Sequence, residues 1–172
     1  MRNANAALFI RLDGLALYFI QPVIAAISLV NLFDADSKFR GLAGPVWTWG
    51  SILLLQLIFV DDLWSFASRH VERRRVGVLW LKLLAAGVCT MLNFAGIYRQ
   101  LGLIDMGKIS HDPFTAVYFS ITAWSTVGFG DVLPSVGARP FAATQSLIGV
   151  LYDSAVIGLV LYASTRSERV DR

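Results

Sequence analysis

Little in this sequence is charged, and almost nothing in it is arranged for covalent chemistry. Only 16% of the 172 residues are Asp, Glu, Lys or Arg, while 56% are hydrophobic and the mean hydropathy is +0.60. Ordinary soluble domains carry about a quarter charged residues, so the balance points to an integral membrane protein. A single cysteine, Cys89, sits inside an apolar run. One thiol excludes an intrachain disulfide, and with no ligand or base beside it Cys89 reads as packing. No nucleophile, base and acid, and no metal-ligand set, recur at a useful spacing, so neither an enzyme nor a cofactor is expected. The net charge of +3 and pI near 9.3 raise the question of nucleic acid. The basic residues cluster at the ends of apolar segments rather than along one polar face, which argues against it.

What the sequence has in quantity is apolar runs of spanning length, since about 20 such residues cross a bilayer core. Four are expected: about 14–33 with a kink at Pro22, about 41–60 ending at Asp61 and Asp62, about 76–98, and about 140–165. Arg2 and Arg11 precede the first without a clear cleavage site, so it reads as an uncleaved anchor. Arg2, Arg11, Arg69, Arg73, Arg74, Arg75, Arg166, Arg169 and Arg172 fall on one side, against Lys38, Arg40, Arg99, Lys108 and Arg139 on the other, with Lys82 inside the third run. The excess predicts both termini in the cytoplasm of a multi-pass cell-membrane protein. "RHVERRR" at 69–75 then becomes a basic cytoplasmic link, read as a topology anchor beside anionic lipid headgroups. It is not a voltage sensor, because Arg73, Arg74 and Arg75 are consecutive and lie outside the apolar run. The expected domains are 1–75, two helices and the link; 76–165, the second pair of helices with what lies between; and 166–172, a short cytoplasmic tail.

Between the last two runs, "PFTAVYFSITAW" at 113–124 is apolar yet too short to cross. A helix of that length reaches only about 18 Å, so it is expected to be re-entrant. Asp112 suits its N-cap and Pro113 its first turn. Its C-terminal end would carry partial negative charge into the bilayer, which favours a cation. Next comes "STVGFGD" at 125–131, where Gly128 and Gly130 permit backbone conformations closed to other residues. Irregular backbone at that depth must be covered by protein or line water.

In this context "TVGFGD" at 126–131 resembles the selectivity filter of potassium channels, and about 76–165 resembles their outer helix, pore helix, filter and inner helix. The resemblance implies an all-α membrane protein with four transmembrane helices, a re-entrant pore helix and a tetrameric pore. It implies passive, potassium-selective conduction, with K+ as permeant ion rather than cofactor. Thr126, Val127, Gly128, Phe129 and Gly130 would form the filter, the first four offering carbonyls and Thr126 also its hydroxyl. Relatives more often have Tyr at Phe129, although Phe occurs among two-pore-domain channels. Asp131 resembles the aspartate that bonds an aromatic on the pore helix, so a Tyr118–Asp131 hydrogen bond is expected. Thr122 and Ser125 would support the filter from behind or serve as capping material, and Trp124 reads as packing.

The fourth run holds one acid, Asp153, and Gln145, Gly149 and Asp153 are spaced by four, which predicts one cavity-lining face. "QSLIGVLYDSAVIG" resembles the inner helix of inward rectifiers, where an acid four residues after a glycine binds blocking cations. That implies a ring of Asp153 carboxylates attracting K+, Mg2+ or polyamines; a neutral Asp153 bonded between helices is the alternative. Gly149 is either a gating hinge or a close-packing site. The likeness to inward rectifiers stops there, since they have two spans, a large cytoplasmic domain and a different residue after the filter. A nonselective cation channel and a non-conducting membrane scaffold or regulatory subunit are the competing readings. His111, beside Asp112, is a candidate for pH sensitivity, although a surface histidine of this kind usually has no such role.

Overall fold

The computed structural model describes residues 21–33, 49–57, 59–60 and 73–170. The chain divides into two compact units, Met1–Ile97 and Tyr98–Arg172.

In the first unit, helix α1 spans Gln21–Phe33, residues 49–57 and 59–60 are also helical, and helix α2 spans Arg73–Leu101, continuing past the unit boundary. Ile24, Leu55 and Cys89 form a buried apolar cluster, so the lone cysteine is packing. The cluster is tied by a polar contact, Asn93 Nδ2 donating to Ser51 Oγ at 2.6 Å. Both groups are buried, where a lost hydrogen bond is costly. Helix α2 is already formed at Arg73, three residues before the expected apolar run. Arginine is a good helix former, so the helix outruns the hydrophobic pattern at that end. The Pro22 kink, the Asp61–Asp62 pair and residues 69–72 of the basic link depend on positions outside the described residues.

The second unit contains helix α3, Pro113–Trp124, and helix α4, Arg139–Val170, with strands β1 Leu103–Asp105, β2 Lys108–Ser110 and β3 Val132–Pro134. The unit is mostly helical, which fits the all-α expectation, and it adds a small three-stranded antiparallel sheet in the order β2-β1-β3. Gly102, at φ 80°, ends α2 in a left-handed cap, its N–H donating to Tyr98 O at 2.8 Å. The chain then turns through Met106 and Gly107, both at positive φ, which matches the twist of a tight hairpin. β3 joins the far edge of β1, pairing Leu103 with Pro134 and Asp105 with Val132. The strand leaving the glycine-rich loop is thereby fixed to the strand leaving α2.

Among the described residues two helical segments are long and apolar enough to cross a membrane, Trp80–Leu101 and Arg139–Leu161. Hydroxyls within them bond back to their own turn, as Thr90 to Ala86 O at 2.8 Å and Ser154 to Val150 O at 2.7 Å. Such bonds keep polar side chains satisfied where no water is at hand. Helix α4 runs without a break from Arg139 to Val170, so the described part of the expected tail continues the helix.

Candidate functional site: the loop between α3 and α4

Helix α3 starts and stops where its sequence dictates. Asp112 has extended backbone and its Oδ2 accepts from Thr115 N at 2.8 Å and from Thr115 Oγ1 at 3.1 Å, with Pro113 in the first turn. Upstream, His111 Nδ1 lies 2.6 Å from Arg99 O, and Arg99 Nε donates to His111 O at 3.1 Å. A carbonyl only accepts, so Nδ1 carries the proton in this contact. His111 therefore staples the end of α2 to the start of α3.

Following α3, the backbone becomes irregular in a regular way. Thr126, Gly128 and Gly130 have φ of 57°, 51° and 81°, while Val127 and Phe129 between them are not at positive φ. Alternating handedness turns successive N–H groups to one side of the chain and the carbonyls to the other. Glycine adopts the left-handed conformation freely, but a β-branched Thr126 there is strained by roughly 1–2 kcal/mol. Such strain persists only where the surroundings impose it. Residues 125–131 are all exposed in the single chain.

The C-terminal end of α3 holds the loop from behind. Gly128 N donates to Thr122 O at 3.4 Å and Thr126 N to Ala123 O at 3.3 Å. The hydroxyls of Thr122 and Ser125 donate within α3, Thr122 to Phe119 O at 3.0 Å and Ser125 to Ile121 O at 2.9 Å. These side chains cap the helix, and it is the Thr122 carbonyl that reaches the loop. On the other side, Tyr118 Oη donates to Asp131 Oδ2 at 2.7 Å, the contact the resemblance implied. Asp131 Oδ1 also accepts from Val132 N at 3.0 Å. The bond from Tyr118 holds the Asp131 carboxyl below its usual range, and the same bond raises the Tyr118 hydroxyl. The Phe129 ring lies nearly parallel to that of Tyr118, with centroids 6.4 Å apart. Trp124 is buried and meets Tyr152 edge-on at 5.2 Å, a packing contact.

The expected cavity face of α4 divides. Gln145 is fully buried, its Oε1 accepting from Tyr98 Oη at 2.6 Å and its Nε2 donating to Ser120 O at 3.0 Å and Ser120 Oγ at 2.8 Å. Ser146 Oγ donates to Ala123 O at 3.0 Å, and a Cβ built on Gly149 would overlap the Trp124 carbonyl oxygen. Gln145 and Gly149 are therefore seam residues against α3 rather than cavity-lining ones, and Gly149 is a close-packing site. Asp153 is exposed. Two causes separate it from Gln145: an i,i+4 row drifts about 40° per step on a helix of 3.6 residues per turn, and α3 ends at Trp124, opposite Gly149.

Tyr98, Ser120, Ser146 and the Arg99–His111 pair were missed in reading the sequence. A glutamine inside an apolar helix was the available signal, since a buried amide requires partners. Which residues supply them depends on packing across 25 and 47 positions of sequence.

Residues 85–164 match the family model described as Ion channel, a stretch running from mid-α2 through the loop and most of α4. No curated protein and no solved structure matches the chain. The ion channel family is not a class of enzymes. The end of α2, the short helix, the alternating loop and most of α4 all lie within that match, which supports a channel of the potassium type.

Proposed function

We propose that the protein is a homotetrameric, potassium-selective channel in which the backbone of 126–130 replaces the hydration shell of K+. The alternation of positive φ at Thr126, Gly128 and Gly130 carries this reading. A loop with carbonyls gathered on one side presents one wall of a cation site, and four copies around an axis close it. Thr126, Val127, Gly128 and Phe129 supply the carbonyls, Thr126 adds its hydroxyl, and Gly130 gives the backbone its final turn. The exposure of 125–131 in a single chain supports assembly, because bare backbone at membrane depth costs several kcal/mol per unsatisfied group.

Asp153 forms a ring of carboxylates on the inner side that concentrates K+ and admits Mg2+ or polyamines as blockers. An exposed acid within a membrane helix costs about 2–3 kcal/mol against lipid, which favours water or protein as its surroundings. Both termini lie in the cytoplasm under this reading, with membrane lipids around the outer helices.

The test is ion flux through purified protein in vesicles, wild type beside Asp153→Asn. Flux of K+ well above Na+ is expected, with block by inner-side Mg2+ or spermine lost in the variant. Equal K+ and Na+ permeability overturns selectivity, silent tetramers overturn conduction, and unchanged block overturns the ring.

A further inference from the structure

We infer that Gln145 is a positioning residue that couples α4 to the ion-binding loop through α3. The inference rests on the channel reading above, and it assigns a role to a residue that touches no ion. Within the second unit, Gln145 joins three helical segments through one amide: Tyr98 at the end of α2, Ser120 in α3, and its own backbone in α4.

The amide is fixed in orientation by chemistry. The Ser120 carbonyl can only accept, so it must face the amide nitrogen, which leaves Oε1 to accept from the Tyr98 hydroxyl. Both N–H bonds of Nε2 are engaged, one on the Ser120 carbonyl and one on its hydroxyl. At full burial, breaking any of these costs the Gln145 amide a bond that no water replaces. The amide therefore resists both rotation of α3 about its axis and separation of α3 from α4. The Tyr98 ring adds stiffness, meeting Phe119 edge-on at 4.8 Å.

A rotation or slide of α3 does not stay in α3. Ser120 lies two residues before Thr122, whose carbonyl accepts from Gly128 N. Ala123, one residue further, accepts from Thr126 N and from Ser146 Oγ of α4. The same few peptide units thus hold the Gln145 amide on one side and two of the loop's three positive-φ residues on the other. Loosening the clamp frees the loop to leave its strained conformation, and the channel then loses selectivity or long openings while the helices remain assembled.

The experiment is single-channel recording and K+/Na+ reversal potentials on full-length protein in bilayers, with tetramer melting followed in parallel. Gln145→Met keeps the volume and removes the hydrogen bonds. Mean open time is expected to fall about tenfold, or the K+ preference to shrink comparably, the change expected from losing one or two buried hydrogen bonds. Tyr98→Phe removes one bond and is expected to cost about threefold. In the Gln145→Met background Tyr98→Phe should cost less than it does alone, because the bond between them is already broken. Gln145→Glu supplies a second signature: ionised, it turns an oxygen toward the Ser120 carbonyl, whereas protonated it can donate there, so lowering the pH should restore openings toward wild type.

Wild-type K+ selectivity with unchanged gating in Gln145→Met or in Tyr98→Phe overturns the inference and leaves the channel reading standing. Additive effects in the double variant overturn it as well. Absence of K+ selectivity in the wild type is a failure of the channel reading itself. If Gln145→Met does not assemble, Tyr98→Phe alone decides, since it removes a single hydroxyl.

Discussion

Among the described residues, the two helical segments capable of crossing a membrane are equally apolar and have opposite fates: much of Trp80–Leu101 is buried inside the chain, whereas Arg139–Leu161 is mostly exposed. Composition does not distinguish them. What distinguishes them is which surfaces the single chain can cover. Leu83, Ala86, Phe94 and Ala95 of α2 are buried, whereas Leu147, Leu151, Ile157 and Leu161 of α4 remain exposed. The lesson is that two equally apolar helices can differ in how much of their surface one chain covers. Gln145, Ser146 and Gly149 are covered by α3, while most of the large apolar side chains described along α4 stay exposed in the single chain.

The sharpest way to break this contrast is to widen the α4–α3 seam. Gly149→Val places branched carbons against the Trp124 carbonyl, a backbone atom that cannot swing aside. Overpacking of this kind costs about 1–3 kcal/mol or more, and here it also pushes against the loop, so loss of assembled, conducting protein is expected on size-exclusion and flux assays. Paired truncations sharpen the comparison next. Leu83→Ala in α2 removes a side chain that is 2% exposed and should cost about 2–5 kcal/mol of stability. Leu147→Ala in α4, at 61% exposure, should cost well under that in monomer stability and act on tetramer yield; cross-linking beside thermal melts separates the two.

At the start of α3, Asp112→Ala removes the cap on Thr115 N and should destabilise by about 1 kcal/mol, read as a lower melting temperature of the assembly. The smallest effect is expected from Tyr118→Phe. The depressed Asp131 carboxyl keeps its charge, and the support drawn from it, above the ordinary carboxylate range and loses it only as pH falls through the lowered value. Current should therefore stay flat as pH on the loop side falls through the ordinary carboxylate range, and decline only below it. In Tyr118→Phe the decline should begin at higher pH, measured as current against pH.

Legibility from sequence followed the range of the interactions. Helix α3 was readable to the residue, because Asp112, Pro113 and the glycines after Ser125 are local signals acting on neighbouring atoms. The Tyr118–Asp131 bond spans 13 positions, and it came from a resemblance to other channels rather than from spacing. The three-residue strands were not readable, being too short to show a period of two. Gly107 was a turn signal without visible partners. For α4 the four-residue spacing misled, since it grouped Gln145 with Asp153 although one is buried and the other exposed.

By itself the sequence determined that this chain belongs in a membrane, that a short helix must stop near residue 125, and that glycines at 128 and 130 would let the backbone alternate its handedness there. Those properties follow from composition, end-capping and the steric freedom of a missing Cβ. Only the tertiary structure decided that Thr126 joins the alternation, that Gln145 is a buried clamp, that Gly149 makes room for a carbonyl, and that Asp153 alone of the three is left open. Each of these is a contact between segments distant in the chain, and such contacts are set by where helices end and how their faces drift, which spacing along one helix does not encode.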